Sequence, residues 1–417
     1  MSIFDYDLVI IGGGLAGCSL ACALADSGAR IALLEQTPFR QVQQAGYDER
    51  SIALAYGSRQ IFESMGLWQD ISPAAAAIKN IHISDRGHFG AARLAATDGG
   101  HEALGYVVEI SKLSQVLAER VQQQDNLDLF MPAVLHAFRT DDDPDSGINI
   151  VLEHDGERRE ISSALLVAAD GMHSTIRDKL LIPVREWRYG QTALIANITT
   201  SEPHKGIAYE RFTQSGPLAL LPMTDSTDTT TGCRRALVWT VQDDQLEMAM
   251  AWSEQEFLAH LQQGFGFRAG RFEHVGQRQS FPLRLMMAER AIDQRIALIG
   301  NAAHTLHPVA GQGFNLGIRD VAVLAELVAD CVRSGSDSGA SEVLESYARQ
   351  RHHDHRNMVT FTDTVARVFS NPLPPVVLAR GLGLLVLDNM PGMKGFLTRR
   401  TMGLAGRLPR LARGLSL

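Results

Sequence analysis

Three glycine-bearing segments, far apart in a chain of 417 residues, carry the residue types that hold a dinucleotide. In the first, Gly12, Gly14 and Gly17 stand in the order G-x-G-x-x-G, and an acid, Glu35, follows. Gly12 permits a tight turn and Gly14 lets a pyrophosphate approach the backbone. Gly17 lets the next helix pack closely while its N-terminal N–H groups face the anion. Glu35 has the chemistry and spacing to accept from a ribose hydroxyl. The second segment is a buried run from Leu165 that ends in Asp170-Gly171, with Ser174 and Arg177 after it. In the third, Gly300 and Asn301 lead through His304, His307 and Pro308 to Gly311-Gln312-Gly313-Phe314-Asn315. The first segment alone fits a flavin or a nicotinamide dinucleotide. His304 and His307 add imidazoles that titrate near neutrality, suited to taking a substrate proton or to bonding a loop carbonyl.

Those residues need a scaffold, and its pattern is visible. Asp7 to Ile11 is a short apolar strand, Leu15 to Ser27 is helix-like and Ile31 to Leu34 is a second strand: a βαβ unit. Helical period runs over Ser51–Met65 and Lys112–Gln124, with strands between Ile78 and Leu94 and at Tyr106–Glu109, a turn at 141–147, then a hairpin and the strand Ala164–Asp170. Between about 183 and 285 the helical signal fades, and short strands are predicted at Thr192–Thr199, Ala208–Thr213, Leu218–Pro222 and Ala236–Gln242. A second α/β signal opens at Arg295–Gly300, and from Gly317 the period is helical. The predicted class is α/β: a Rossmann-like dinucleotide-binding domain with an inserted sheet-rich substrate domain and a helical C-terminal region. Its divisions are 1–182, 183–285, 286–373 and 374–417.

Composition narrows the function. With 39 Lys plus Arg against 47 Asp plus Glu the net charge is −8, which argues against nucleic-acid binding through bulk charge. A chain 45% hydrophobic and 21% charged is globular rather than disordered. The four cysteines, at 18, 22, 233 and 331, form no CxxC pair or zinc spacing and fit a reduced, cytoplasmic setting, Cys18 and Cys22 as packing residues. The start lacks a basic n-region, so secretion is not expected. The apolar stretch 374–392 is broken by Arg380 and Asp388, short of the ~20 residues a span needs. From Val376 to the end, Arg380, Lys394, Arg399, Arg400, Arg407, Arg410 and Arg413 face one acid, Asp388. That pattern suits peripheral contact with an anionic membrane; the alternative is a core helix with arginines at its end. Arg351-His352-His353-Asp354-His355-Arg356 reads as the solvated face of a polar helix, and no metal site is expected.

The three segments, in this order and separation, resemble the class A flavoprotein monooxygenases, the aromatic-hydroxylase superfamily, over nearly the whole chain. Asp48-Glu-Arg50-Ser-Ile-Ala-Leu-Ala, Ser84-Asp-Arg-Gly-His88 and the run HPVAGQGFNLGIRD are most similar to the ubiquinone-biosynthesis hydroxylases. The resemblance implies an FAD-binding domain of the aromatic-hydroxylase type. FAD would lie with Glu35 on its ribose, Gly12 to Gly17 on its pyrophosphate, Arg50 near the flavin and Asp170-Gly171 serving both FAD and the nicotinamide donor. Gly311 to Asn315 would set backbone N–H groups beside the isoalloxazine, where reduced flavin carries negative charge. It further implies NAD(P)H as electron donor and dioxygen as co-substrate. A flavin C4a-hydroperoxide would hydroxylate the ring of a polyprenylated methoxyphenol, within a ubiquinone-biosynthesis complex and peripherally at the inner face of the membrane. The alternatives are a sister hydroxylase acting at another ring carbon or on a soluble phenol, and a low-turnover flavin-binding scaffold subunit. Asn301 departs from the superfamily, which carries Asp there. An amide both donates and accepts and has no charge, so it bears on how tightly FAD is held.

Overall fold

The first apolar run divides its side chains between two cores: Leu8 and Ile10 enter one, Val9 and Ile11 the other. A strand buried on both faces belongs inside a covered parallel sheet. That is its place in the computed structural model, which describes residues 4–39, 50–140, 146–225, 232–306, 311–371 and 373–417. The elements that position the site begin with β1 (Tyr6–Ile11), α1 (Leu15–Ala23), β2 (Ile31–Leu34), β3 (Ser51–Ala55), β4 (Asn80–Asp85) and β5 (Glu157–Ala168). They continue with β6 (Val184–Thr200), β7 (Ile207–Thr213), β8 (Gly216–Pro222), β9 (Arg234–Gln242), β10 (Gln279–Ala288) and β11 (Ile296–Leu298). Four helices follow: α2 (Gln312–Ser334), α3 (Ser341–Ser370), α4 (Pro374–Asn389) and α5 (Pro391–Thr401).

In the first sheet β11, β5, β1 and β2 are neighbours in that order and all parallel, with Val167 opposite both Ile10 and Ala297, and Ile10 opposite Leu33. The helices α1 and α2 share the core of Leu8 and Ile10. The second sheet has nine strands, with β10, β6, β9, β8, β7 and β4 as consecutive neighbours. It draws Asn80–Asp85 and Ala91–Ala95 from the first segment as well as strands from 184 to 288, and His304–Thr305 pairs onto its β10 edge. One strand of that sheet therefore grows from the third glycine segment itself.

The α/β class stands, with two differences in detail. Ser51–Met65 is not one helix: Ser51–Ala55 pairs antiparallel with Gly105–Glu109, and the helix begins only at Tyr56. Sheet pairing across fifty residues overrides a local helical period there. Within the sheet-rich stretch, Glu254–Phe265 is a helix opened by a capping box between Ser253 and Glu256, a start signal that the sequence carries openly.

Candidate active site

Because β11, β5 and β1 are parallel neighbours, their C-terminal ends point one way and the three glycine segments meet at one edge. That edge is where open α/β sheets hold ligands. Gly12 has φ +105°, and a Cβ on it would lie 2.6 Å from the Ala169 carbonyl oxygen; one on Gly17 would collide with the carbonyl of Gly12. A Cβ on Gly14, by contrast, would meet nothing within 4 Å. The first two glycines thus serve the fold, and Gly14 keeps open the space before the helix start. Glu35, at the end of β2, accepts from the Gly13 N–H at 2.6 Å and the Thr37 N–H at 2.8 Å, so it sits against the turn. Asp170 Oδ2 accepts from Thr175 Oγ1 and the Ile176 N–H, whereas Oδ1 is buried with no partner among the described residues. Arg177 is buried and donates to the carbonyls of Ala302 and Met172, binding the second segment to the third.

These features fit an FAD. The helix start at α1 has no side-chain cap, the space before Gly14 is open, and Asp170 keeps an orphaned acceptor. Gly171 (φ +84°) and Gly300 (φ +56°) turn the chain away from their strands. Asn301 is exposed, so its amide is available to a ligand. Gly311, at φ +61°, is the N-terminal residue before α2, and Gly313 has open space at its Cβ position. The side chains of Phe314 and Asn315 face the protein. The Phe314 ring stacks near Phe62 in the core. The Asn315 amide makes four hydrogen bonds of its own: Oδ1 accepts from Ala55 N–H and Ser58 Oγ, and Nδ2 donates to the carbonyls of Ala53 and Gly311. With its capacity filled it fastens the segment to β3, leaving the backbone as the part that meets a cofactor. Arg50 precedes β3 with its guanidinium 5.1 Å over Phe281, facing the second sheet. His307 and Pro308 lie outside the described residues.

The sequence reading of Arg351 to Arg356 needs correction. His352 and His353 are exposed, but Arg351 and His355 are buried and turn toward Asp320, which is 0% exposed on α2. Asp320 Oδ1 accepts from Arg351 Nε at 2.6 Å and His355 Nε2 at 2.7 Å; Oδ2 accepts from His304 Nε2 at 2.7 Å and the Gly300 N–H at 3.2 Å. Burial alone would raise this carboxyl, but His355, Arg351 and His304 hold it well below the usual carboxylate range. Burial pushes His355 down to about 4 against the pull of Asp320, and Arg351 supplies the permanent countercharge. His304, Asp320 and His355 lie as close together as metal ligands do. Yet the facing nitrogens are spent on the carboxylate, whose charge Arg351 already balances. His304 belongs to this network: fully buried, it fixes the third segment to α2 through Nε2 on Asp320, while its Nδ1 has no partner among the described residues.

In front of this network lies a cavity of 390 Å³. Ala53 and the start of α2 (Gly311, Gln312, Asn315) line one side, the second sheet lines the floor, and Leu384, Leu387 and Leu397 reach it from α4 and α5. The floor includes a single cross-strand row, Ile83, Glu210, Ala219, Val238 and Ile195, on β4, β7, β8, β9 and β6. Two helices are fastened over it: Arg380 Nε of α4 donates to buried Asp85 at 2.6 Å, and Phe369 at the end of α3 stacks on Phe212 with ring centres 3.6 Å apart. Asp320, Arg351, His355, Asp85 and Glu210 were not singled out as site residues from the sequence. For Glu210 a signal existed, a charged residue in phase with the apolar side chains of its strand.

Residues 5–362 match the FAD_binding_3 family, described as "FAD binding domain". The ubiquinone hydroxylase UbiL of Rhodospirillum rubrum is 37% identical over 99% of this chain and 93% of its own. The ubiquinone hydroxylase UbiM of Neisseria meningitidis is 30% identical over 95% of this chain and 84% of its own. Among solved structures, the p-nitrophenol 4-monooxygenase PnpA of Pseudomonas putida superposes with a TM-score of 0.76, covering 96% of this chain and 98% of that one at 17% identity, a likeness of fold.

Proposed function

The chain belongs to the FAD-binding-domain family of flavin-dependent monooxygenases, and from that premise we propose that it hydroxylates the ring of a polyprenylated methoxyphenol in ubiquinone biosynthesis. NAD(P)H is the electron donor and dioxygen the co-substrate. The observation that carries the reading is the cavity. It runs from the loop-and-helix start expected beside the flavin to the inner faces of α4 and α5, and its lining is overwhelmingly apolar. A ring bearing a long hydrocarbon tail matches both ends of such a space. FAD, when bound and reduced, supplies the activation of dioxygen. The chain's own residues hold the pyrophosphate at Gly12 to Gly17, offer Glu35 and Asp170 to hydroxyls, and exclude water with the clamped helix α4.

The same helices support contact with an anionic membrane. No single described helix is long and apolar enough to cross a bilayer; α4 and α5 meet that test only together and bend by 95°. Leu384 and Leu387 face the cavity, while Leu378, Leu382 and Leu385 (40–52% exposed) and Phe396 (65% exposed) face outward. The basic residues are fewer than the sequence offers. Arg380, Lys394 and Arg410 pair with Asp85, Asp98, and Glu326 with Asp330, and Arg400 donates to the Asn357 carbonyl. Arg399, Arg407 and Arg413 remain exposed. Burial of the apolar face therefore supplies most of the binding, and salt weakens it little.

The test is turnover of a prenylated methoxyphenol carried in anionic vesicles by the FAD-loaded chain. Expected are stimulated NAD(P)H oxidation, a product one oxygen atom heavier, and co-sedimentation that Leu382→Ser with Phe396→Ser reduces. Flavin that is reduced by NAD(P)H yet forms no oxygenated product from prenylated phenols overturns the reading.

A further inference from the structure

On β7 the side chains alternate between two environments. Tyr209 packs against Phe265 and His82 on the face away from the cavity, and Arg211 shares its phase. Ala208, Glu210 and Phe212 line the cavity. In the row that crosses the floor, Glu210 stands between Ile83 and Ala219, with Val238 and Ile195 beyond. It is the one charged side chain among the described lining residues; Tyr209 also borders the cavity but turns its ring to Phe265 and His82 on the other face. The start of α2 contributes an amide, Gln312, and the faces of α3, α4 and α5 contribute hydrocarbon and a hydroxyl, Thr401. The nearest charged groups lie elsewhere: Arg211, and Arg268 bonded to His82, on the other face, and the Asp85–Arg380 pair next to Phe212 along the strand. Burial against the apolar cavity wall pushes the Glu210 carboxyl up to about 7.

A carboxylate facing an apolar cavity without a donor among the described residues is costly unless a ligand supplies one. We propose that Glu210 accepts a hydrogen bond from the phenolic hydroxyl of the substrate and thereby sets which ring carbon is presented for hydroxylation. The inference takes the hydroxylase reading above as its premise. An O–H···O⁻ bond of this kind is short and strong. The proton stays shared between the two oxygens, so no bond breaks and no redox equivalent is needed. The phenolic oxygen gains electron density, which enriches the ortho and para carbons toward an electrophilic oxygen. The apolar neighbours in the row then hold the ring's flat face, and the tail points toward α4 and α5.

The experiment compares wild type with Glu210→Gln, both FAD-loaded, on a prenylated methoxyphenol and on its methyl ether, over pH 5–9. Because kcat/KM reports the free enzyme, the wild-type profile on the phenol falls as pH drops through about 7. The methyl ether, which has no proton to donate, is used poorly and without that acid limb. Glu210→Gln keeps the shape and loses the charge. We expect bound FAD to be retained, KM for the phenol to rise, kcat/KM to fall about 10–100-fold at pH 8, the value of a hydrogen bond to a charged group, and the acid limb to vanish. Product regiochemistry should also broaden. A wild-type phenol profile that is flat between pH 6 and 8, or a Glu210→Gln enzyme with wild-type kcat/KM and an unchanged limb, overturns the assignment to Glu210 while leaving the hydroxylase intact. A wild-type enzyme that oxygenates no phenol fails the premise instead.

Discussion

Two carboxylates near the third glycine segment, Asp320 fully buried and Glu210 half-buried, have opposite surroundings. Asp320 is met by four donors, Arg351, His355, His304 and the Gly300 N–H. Glu210 opens on the cavity with apolar side chains on either side of it in the sheet. The first is held well below the usual carboxylate range and the second is raised to about 7. Desolvation raises both, fully at Asp320 (0% exposed) and in part at half-buried Glu210, and the donors around Asp320 reverse it there. A saturated carboxylate is spent on architecture. An unsaturated one facing a cavity is left for a ligand.

The largest effect should come from breaking the saturated side. Asp320→Ala leaves the buried Arg351 guanidinium with Asp354 and the Leu316 carbonyl and removes the tie between Gly300, His304 and α2. Stripping one partner from a buried pair costs about 3–5 kcal/mol, and the third segment should lose its register with it. Urea unfolding and flavin absorbance together check this: an unchanged midpoint with full FAD would mean the network does not hold the loop. The sign of its pH dependence also follows. Asp320, depressed, stabilises above the unfolded carboxylate pKa and loses that contribution only when acid reaches its folded value. His355, pushed down to about 4 from 6.5, adds a loss of stability as pH falls through that window, which His355→Gln should remove.

The unsaturated side should respond with the opposite sign. Between its unfolded value of 4.5 and about 7 the folded chain binds a proton at Glu210 that the unfolded chain has released, so ionised Glu210 destabilises above that window. Glu210→Gln should therefore raise unfolding stability at pH 8, on the order of 1–3 kcal/mol, and leave it unchanged at pH 4. A variant that is more stable yet poorer at turnover is the signature of a residue kept for function. Equal stability of the two proteins at pH 8 would mean that the cavity solvates the carboxylate.

The same contrast explains what was legible beforehand. Gly12, Gly17, Gly300 and Gly311 answer to local backbone needs, positive φ or close approach, and such needs leave a spacing that can be read. Alternation likewise announced β7, β8 and β9 to within two residues. Asp320 and Arg351 sit on different helices, 31 positions apart. Along α3 alone, Arg351 and His355 look like members of a polar face, and only the packing of α3 on α2 turns them inward. Asn315 and His304 are legible as members of the site from their motif, but only their partners, β3 and α2, show that their side chains hold the loop.

Asn301 offers the smallest and most diagnostic change, a third carboxylate added beside the other two. The amide is exposed in the turn that follows β11, next to Gly300, whose N–H donates to Asp320. Asn301→Asp gives a ribityl hydroxyl a charged acceptor, which favours binding, but puts a negative charge on a ligand whose pyrophosphate is also negative, which opposes it. Solvent at the exposed position screens the repulsion more than it weakens a direct hydrogen bond. The net should be FAD held about threefold to tenfold tighter, roughly 0.7–1.4 kcal/mol. The dissociation constant from flavin fluorescence decides it. A constant that stays the same or weakens would mean that the pyrophosphate field outweighs the new acceptor, and that the site is built around an amide that donates.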